Sequence, residues 1–219
     1  MDVPPIFLID ASLELAASIL LVVVAYYAFH GYRVLGSNSL KIITLAFTFI
    51  GIGHAVHALI KIEVAILVAT NIIRFPSPKF FPPIRFGYTL CFLLEFLAYL
   101  ILAYQYLKGN REHLLQLIFL PLLLEYQPQA EVILFIFSLL IFLKILINYL
   151  RRRTRENLYV ALGFMFFMLY HLILLATTFF AILPLLPIIY PILLAGSVSF
   201  LLMLLRIIRR TPEVETYGK

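Results

Sequence analysis

Seven times along 219 residues a stretch of apolar side chains runs almost free of charge, and charged residues or prolines separate one stretch from the next. A helix needs about 20 such residues to cross a hydrocarbon core of roughly 30 Å. By that measure spans are expected over 12–29, 40–60, 86–107, 132–149, 158–180 and 184–205, with a shorter one over 114–124. The stretch 62–73 is also apolar, and either extends the second span or lies at the interface before the proline-rich loop 75–83. Hydrophobic residues make up 63% of the chain and charged residues 13%, against roughly 45–50% and 25% in a soluble domain. Lipid must solvate most of this surface. The expected fold class is an all-α polytopic bundle of about seven transmembrane helices, a multi-pass protein of the cell membrane with the bilayer as its first partner.

The fourth stretch is short and contains Gln116 and Pro121, and the charge pattern decides whether it spans. Cytoplasmic connections carry an excess of Lys and Arg. One set of alternate connections holds Arg33 and Lys41, Lys108 and Arg111, Arg151 to Arg155, and Arg206, Arg209 and Arg210; the other holds Asp2, Asp10, Glu125 and Glu131, a charge-free turn between the last two spans and a loop of mixed charge between the second and third. With the fourth stretch spanning, every strong basic cluster falls on one side, which places the N-terminus outside and the C-terminus in the cytoplasm. The net charge of +6 is then topological, and nucleic acid is not an expected partner. The start, Met1-Asp2-Val3-Pro4-Pro5, has no basic n-region and no small-residue cleavage site, so the first run reads as a retained span rather than a signal peptide. Tyr and Phe must anchor the interfaces, because Trp is absent.

An internal repeat underlies this pattern. Leu45, Phe47, Phe49 and His54 recur as Leu162, Phe164, Phe166 and His171 at a constant offset of 117 residues, and Tyr32 recurs as Tyr149. The expected organisation is one membrane domain over 1–219, with repeat one at 12–107, a linker helix at 112–125, repeat two at 130–207 and a cytoplasmic tail at 208–219. An odd linker span makes the two three-helix units parallel, a 3+1+3 plan.

Ionisable side chains inside a span are costly and mark functional sites. Four stand out: His54 and His57 on the second span, Glu95 on the third and His171 on the sixth. Lys144, His30, His113 and Glu14 lie toward the span ends and are expected to play no special part. His54 and His171 each fall about 14 residues, or roughly 21 Å, past the inner ends of parallel helices. Two imidazoles at one depth suit axial ligation of a haem iron, and imidazole also binds Zn, Cu or Fe without haem. The small residues Gly51, Gly53, Ala55 and Ala58 around His54 let either a macrocycle or another helix approach the backbone. His57 would be a nearby supporting group or alternative ligand, and Glu95 a proton relay or hydrogen-bond partner. Were the fourth stretch not to span, the repeats would be inverted and the two histidines about 12 Å apart in depth.

Tyr26 to Arg33, followed by Ser39, Leu40, Leu45, Ala46 and Phe47, resembles a pattern in uncharacterised archaeal multi-span membrane proteins and covers the first two spans. The placement of His54 and His171 resembles the site logic of integral membrane b-type cytochromes, without the paired His-x13-His spacing of respiratory cytochrome b. That resemblance implies haem b, with electrons from a quinol or a redox partner subunit. The three-one-three plan is similar to that of duplicated triple-helix sugar permeases and of rhodopsins. However, 184–205 holds no lysine for a retinal Schiff base, and Pro128-Gln129 has no counterpart before the first span.

Several chemistries are excluded. The single cysteine, Cys91, permits no internal disulfide, CxxC pair or zinc ribbon. Walker, GxGxxG and GxSxG motifs are absent, and no aspartate follows Asp10 to build a His/Asp/Ser lipid-hydrolase centre. The sequence therefore leads to a bis-histidine haem-binding electron-transfer protein. A small-molecule or ion permease, or an accessory subunit of a membrane complex or homo-oligomer, stands as the alternative.

Overall fold

The computed structural model describes residues 5–70, 81–106, 129–180 and 186–210. They form six helices: α1 (Pro5–Leu35), α2 (Asn38–Ala69), α3 (Phe81–Tyr106), α4 (Gln129–Arg152), α5 (Arg155–Phe180) and α6 (Leu186–Arg210). The described residues contain six spans long and apolar enough to cross a membrane. The seventh expected span, 114–124, and His113 lie outside the described residues.

Two boundaries differ from expectation. α1 starts at Pro5, where proline's missing N–H is no loss. Asp10 therefore lies inside the helix rather than ahead of it, and Glu14 lies well inside it rather than in its first turn. α2 runs without a break to Ala69 and takes in the 62–69 part of the ambiguous segment. Nothing between Ala55 and Ala69 is a helix breaker, and Lys61 and Glu63 both tolerate helix. At 32 residues α2 is about 48 Å long, well beyond the hydrocarbon core.

Each helix packs on its neighbours in the chain, and α6 returns to α1, so the six close into a ring. Asp10 at the start of α1, Lys61 near the end of α2, Tyr88 near the start of α3 and Glu131 at the start of α4 line one cavity together with Leu174 near the end of α5 and Tyr190 near the start of α6. That shared lining fixes the directions. α2 and α5 run the same way, toward the cavity, and α3 and α4 both run away from it. At the other end Arg206 donates from Nε to Glu156 at 2.8 Å, beside the basic clusters.

Between the cavity and the basic end the bundle is filled by aromatic rings. Phe200 packs on Phe47 with centroids 4.7 Å apart and on Phe164 at 5.0 Å, and Phe167 adds a ring 5.6 Å from Phe200. Gly163 and Gly196 make this possible. A Cβ at Gly163 would overlap the Phe200 ring, and one at Gly196 would come within 2.7 Å of Phe167. Gly51 and Gly53 serve helix packing in the same way: a Cβ at Gly51 would meet Val22 of α1 at 3.0 Å, and one at Gly53 would meet the Cys91 backbone of α3 at 3.3 Å. The small residues beside His54 thus admit neighbouring helices.

The turns joining α1 to α2 and α4 to α5 close alike. Gly36 N donates to Tyr32 O at 2.8 Å with φ of 63°, and Arg153 N donates to Tyr149 O at 2.7 Å with φ of 46°. Glycine accepts this left-handed conformation freely and arginine does not. Arg153→Gly should therefore raise the thermal unfolding midpoint in detergent, by about 1 kcal/mol of stability. An unchanged or lower midpoint would show that the left-handed turn carries no strain.

Candidate functional site

The cavity end of the ring holds a network of ionisable groups whose spacing puts them on the inward faces of three helices. α1 supplies Asp10 and Glu14, one turn apart. α2 supplies His54, His57 and Lys61, and α3 supplies Tyr88, Cys91 and Glu95 with the same three-then-four spacing. Such positions share a helical face. Close approach of α3 at Gly53 brings Cys91 Sγ to 3.9 Å from His54 Nδ1.

Glu14 is the hub. It is fully buried. Its Oε1 meets His57 Nδ1 at 2.7 Å and His54 Nδ1 at 3.0 Å, while its Oε2 accepts from Lys61 Nζ at 2.9 Å. Lys61 also donates to Asp10 Oδ2 at 2.6 Å and Tyr190 Oη at 3.3 Å, so all three ammonium protons have acceptors. His54 Nε2 meets Glu95 Oε1 at 2.9 Å. Both nitrogens of His54 therefore face carboxylates, which needs either the imidazolium or a proton on one carboxyl group. His57 Nε2 is the buried side-chain polar atom left without a partner among the described residues.

A second pair stands beside this network. His171 Nδ1 meets Glu131 Oε2 at 3.3 Å and its Nε2 meets Tyr99 Oη at 2.8 Å. The Glu–His separation is 40 residues in both pairs, and Nδ1 faces the carboxylate in both. Tyr170 contacts both histidines, with its ring centroid 5.8 Å from that of His54 and 4.8 Å from that of His171. Among the described residues, the network of Asp10, Glu14 and Glu95 is built around one lysine, Lys61, so neutrality in this buried place requires protons or a bound cation.

Of the expected site residues, His54, His57 and Glu95 join one network and His171 lies in the adjoining pair. Glu14 departs from expectation most: a helix beginning at Pro5 carries it into the bundle, where it touches three other ionisable side chains. His30 and Lys144 are exposed, as their positions near the span ends suggested. Asp10, Lys61, Cys91, Tyr99 and Glu131 were not anticipated. Their signal was present in part, since Glu131 follows Glu14 by the same 117 residues that separate the histidines.

The residues do not fit a haem held between His54 and His171 in this conformation. Every ring nitrogen of the pair already faces a carboxylate or a phenol. The cavity measures about 40 Å³, room for a few waters at most. Comparison with known proteins finds no matching family model, no matching curated protein and no matching solved structure.

Lys61 offsets two acidic neighbours, so its removal should be costly. Lys61→Met should destabilise the protein by about 3–5 kcal/mol, because it leaves buried negative charge without a counter-ion. Asp10→Asn in the same chain should restore part of the loss. Thermal unfolding of the two variants in detergent measures both, and a Lys61→Met protein as stable as the parent would mean that the carboxylates are not charged.

Proposed function

We propose that this chain is a cation permease of three-one-three design, with its polar chamber between two parallel three-helix units. The observation that carries the reading is the buried run Asp10–Lys61–Glu14–His54–Glu95 on the first unit, which starts at a half-buried carboxylate and shares one cavity with Glu131, Tyr170 and Tyr190 of the second, with an aromatic layer filling the bundle beyond it. Asp10 keeps 16% of its side chain exposed, while Glu14 and His54 keep 1%. Phe47 lies seven residues below His54 on α2, about 10 Å of helix. A chamber reachable from one end and sealed at the other is one half of an alternating-access cycle, and secondary transporters bind substrate at the interface of their repeats. The excess of carboxylates over fixed cations favours a positively charged substrate.

The repeat is supported by three correspondences at one offset: the Glu14–His54 and Glu131–His171 pairs, the Tyr32 and Tyr149 turns, and Phe47 and Phe164 on Phe200. The seven-span topology is supported by the common direction of α3 and α4, since a chain leaving one must return to the cavity end to begin the other. With basic clusters inside, the chamber faces outward and the N-terminus lies outside the cell membrane.

Reconstitution into liposomes tests the reading. Vesicles loaded with indicators for Na⁺, K⁺, Mg²⁺ and Zn²⁺ should take up at least one of these cations faster than protein-free vesicles. Glu14→Gln and His54→Ala should slow that uptake at least about tenfold, which corresponds to about 1.4 kcal/mol. No uptake of any cation overturns the proposal. A reduced-minus-oxidised visible spectrum should be flat, whereas a sharp Soret band lost in His54→Ala would establish the b-type cytochrome reading instead.

A further inference from the structure

We infer that Glu14, His54 and Cys91 form a binding site for one divalent transition-metal ion of the zinc or cobalt type. As the identity of the transported cation this rests on the permease reading; as a binding site it stands alone. One ligand atom from each residue lies within 4.8 Å of the others, and all three side chains are buried. The His54 Nδ1 to Glu14 Oε1 distance is 3.0 Å and the Nδ1 to Cys91 Sγ distance is 3.9 Å. A tetrahedral ion bound at about 2.0 Å to nitrogen and oxygen and about 2.3 Å to sulfur sets these edges at about 3.3–3.6 Å. The two edges at His54 bracket that size, and the third, between Glu14 and Cys91, is under 4.8 Å.

Three further features belong to a metal centre. Glu95 accepts at 2.9 Å from the far nitrogen of His54. A carboxylate in that place fixes the tautomer of a ligating imidazole and raises its basicity. With Nε2–H given to Glu95, Nδ1 has its lone pair free for the ion. His57, one turn along α2, lines the same cavity and is 2% exposed, with Nε2 lacking any partner among the described residues. It lies outside the three-residue set, and its unpartnered Nε2 can accept from a water on the ion. Lys61 occupies Glu14 Oε2 and Asp10, and Oε1, which accepts from His57 Nδ1, keeps its second lone pair for the metal.

The donor set selects the ion. A thiolate with an imidazole favours zinc, cobalt or copper over magnesium or calcium. Charge agrees in direction: one divalent cation offsets Glu14 and the Cys91 thiolate, Lys61 offsets Asp10, and Glu95 alone is left negative, nearer the neutrality that a membrane interior favours. Binding releases the Cys91 thiol proton to the buffer, together with any second proton on His54. The Glu131–His171 pair offers no equivalent site, since a phenol, Tyr99, takes the remaining nitrogen and the chain has no second cysteine.

The test is a titration of the purified full-length chain in detergent with Co²⁺ alone. One equivalent should bind, with the visible bands of tetrahedral cobalt and a near-ultraviolet thiolate-to-cobalt band, and excess Zn²⁺ should bleach both. Cys91→Ser, nearly the same size, should abolish the thiolate band. Glu95→Gln, which leaves all three ligands in place, should weaken binding about 10–100-fold. Absence of tetrahedral bands in the parent chain, or a thiolate band that survives in Cys91→Ser, overturns the inference. Uptake by the liposomes without cobalt binding overturns the metal site and keeps the permease; cobalt binding without uptake of any cation keeps the metal site and overturns the permease.

Discussion

The carboxylate of Glu14 is the point on which the cavity end of this bundle turns. A lone carboxylate buried among six helices is expensive, because nothing in hydrocarbon replaces its water. Here its two oxygens meet two imidazoles and an ammonium within 3.0 Å. Each partner is itself too polar to be left in the bundle alone, so α1 and α2 are tied by mutual need. The chain of consequences extends outward: His54 draws in Glu95 of α3, and Lys61 draws in Asp10 and the hydroxyl of Tyr190 on α6.

The other end of the bundle works on the opposite principle. Phe47, Phe164, Phe167 and Phe200 are all buried and contain no group that seeks a partner. Their packing depends on shape, and Gly163 and Gly196 supply the recesses. In a membrane, close approach of helices rather than expulsion of apolar surface from water stabilises such contacts. The polar groups and the apolar rings thus occupy different levels along one axis of the bundle.

The two histidines differ in the groups that surround them. His54 and His171 lie on helices running the same way. Each is nevertheless engaged on both ring nitrogens by its own surroundings, His54 by two glutamates and His171 by a glutamate and a tyrosine. Tyr170 touches both rings. The pair therefore forms two separate, unequal hydrogen-bonded units. The difference between them is set by α3, which presents Cys91 and Glu95 to one and Tyr99 to the other.

The sequence by itself determined that this is a helical membrane protein, where most spans lie, and that His54, His57 and Glu95 are buried polar groups. Length and hydropathy suffice for that, because hydrocarbon forbids unpaired backbone and rare charges inside spans stand out. The offset of 117 residues was also legible, and Glu14 and Glu131 shared it, but glutamates so near the start of a span look like boundary residues until the helix start is known. Only the tertiary structure decided the partners. Hydrophobicity is radially uninformative when both lipid-facing and core-facing positions are apolar, so which face of α1 turns toward Lys61, or which face of α3 turns toward His54, cannot be read from periodicity. Cys91 is the clearest case: as a lone cysteine it excluded chemistry, and the contact between Gly53 and the α3 backbone turned it into a neighbour of His54 and Glu14.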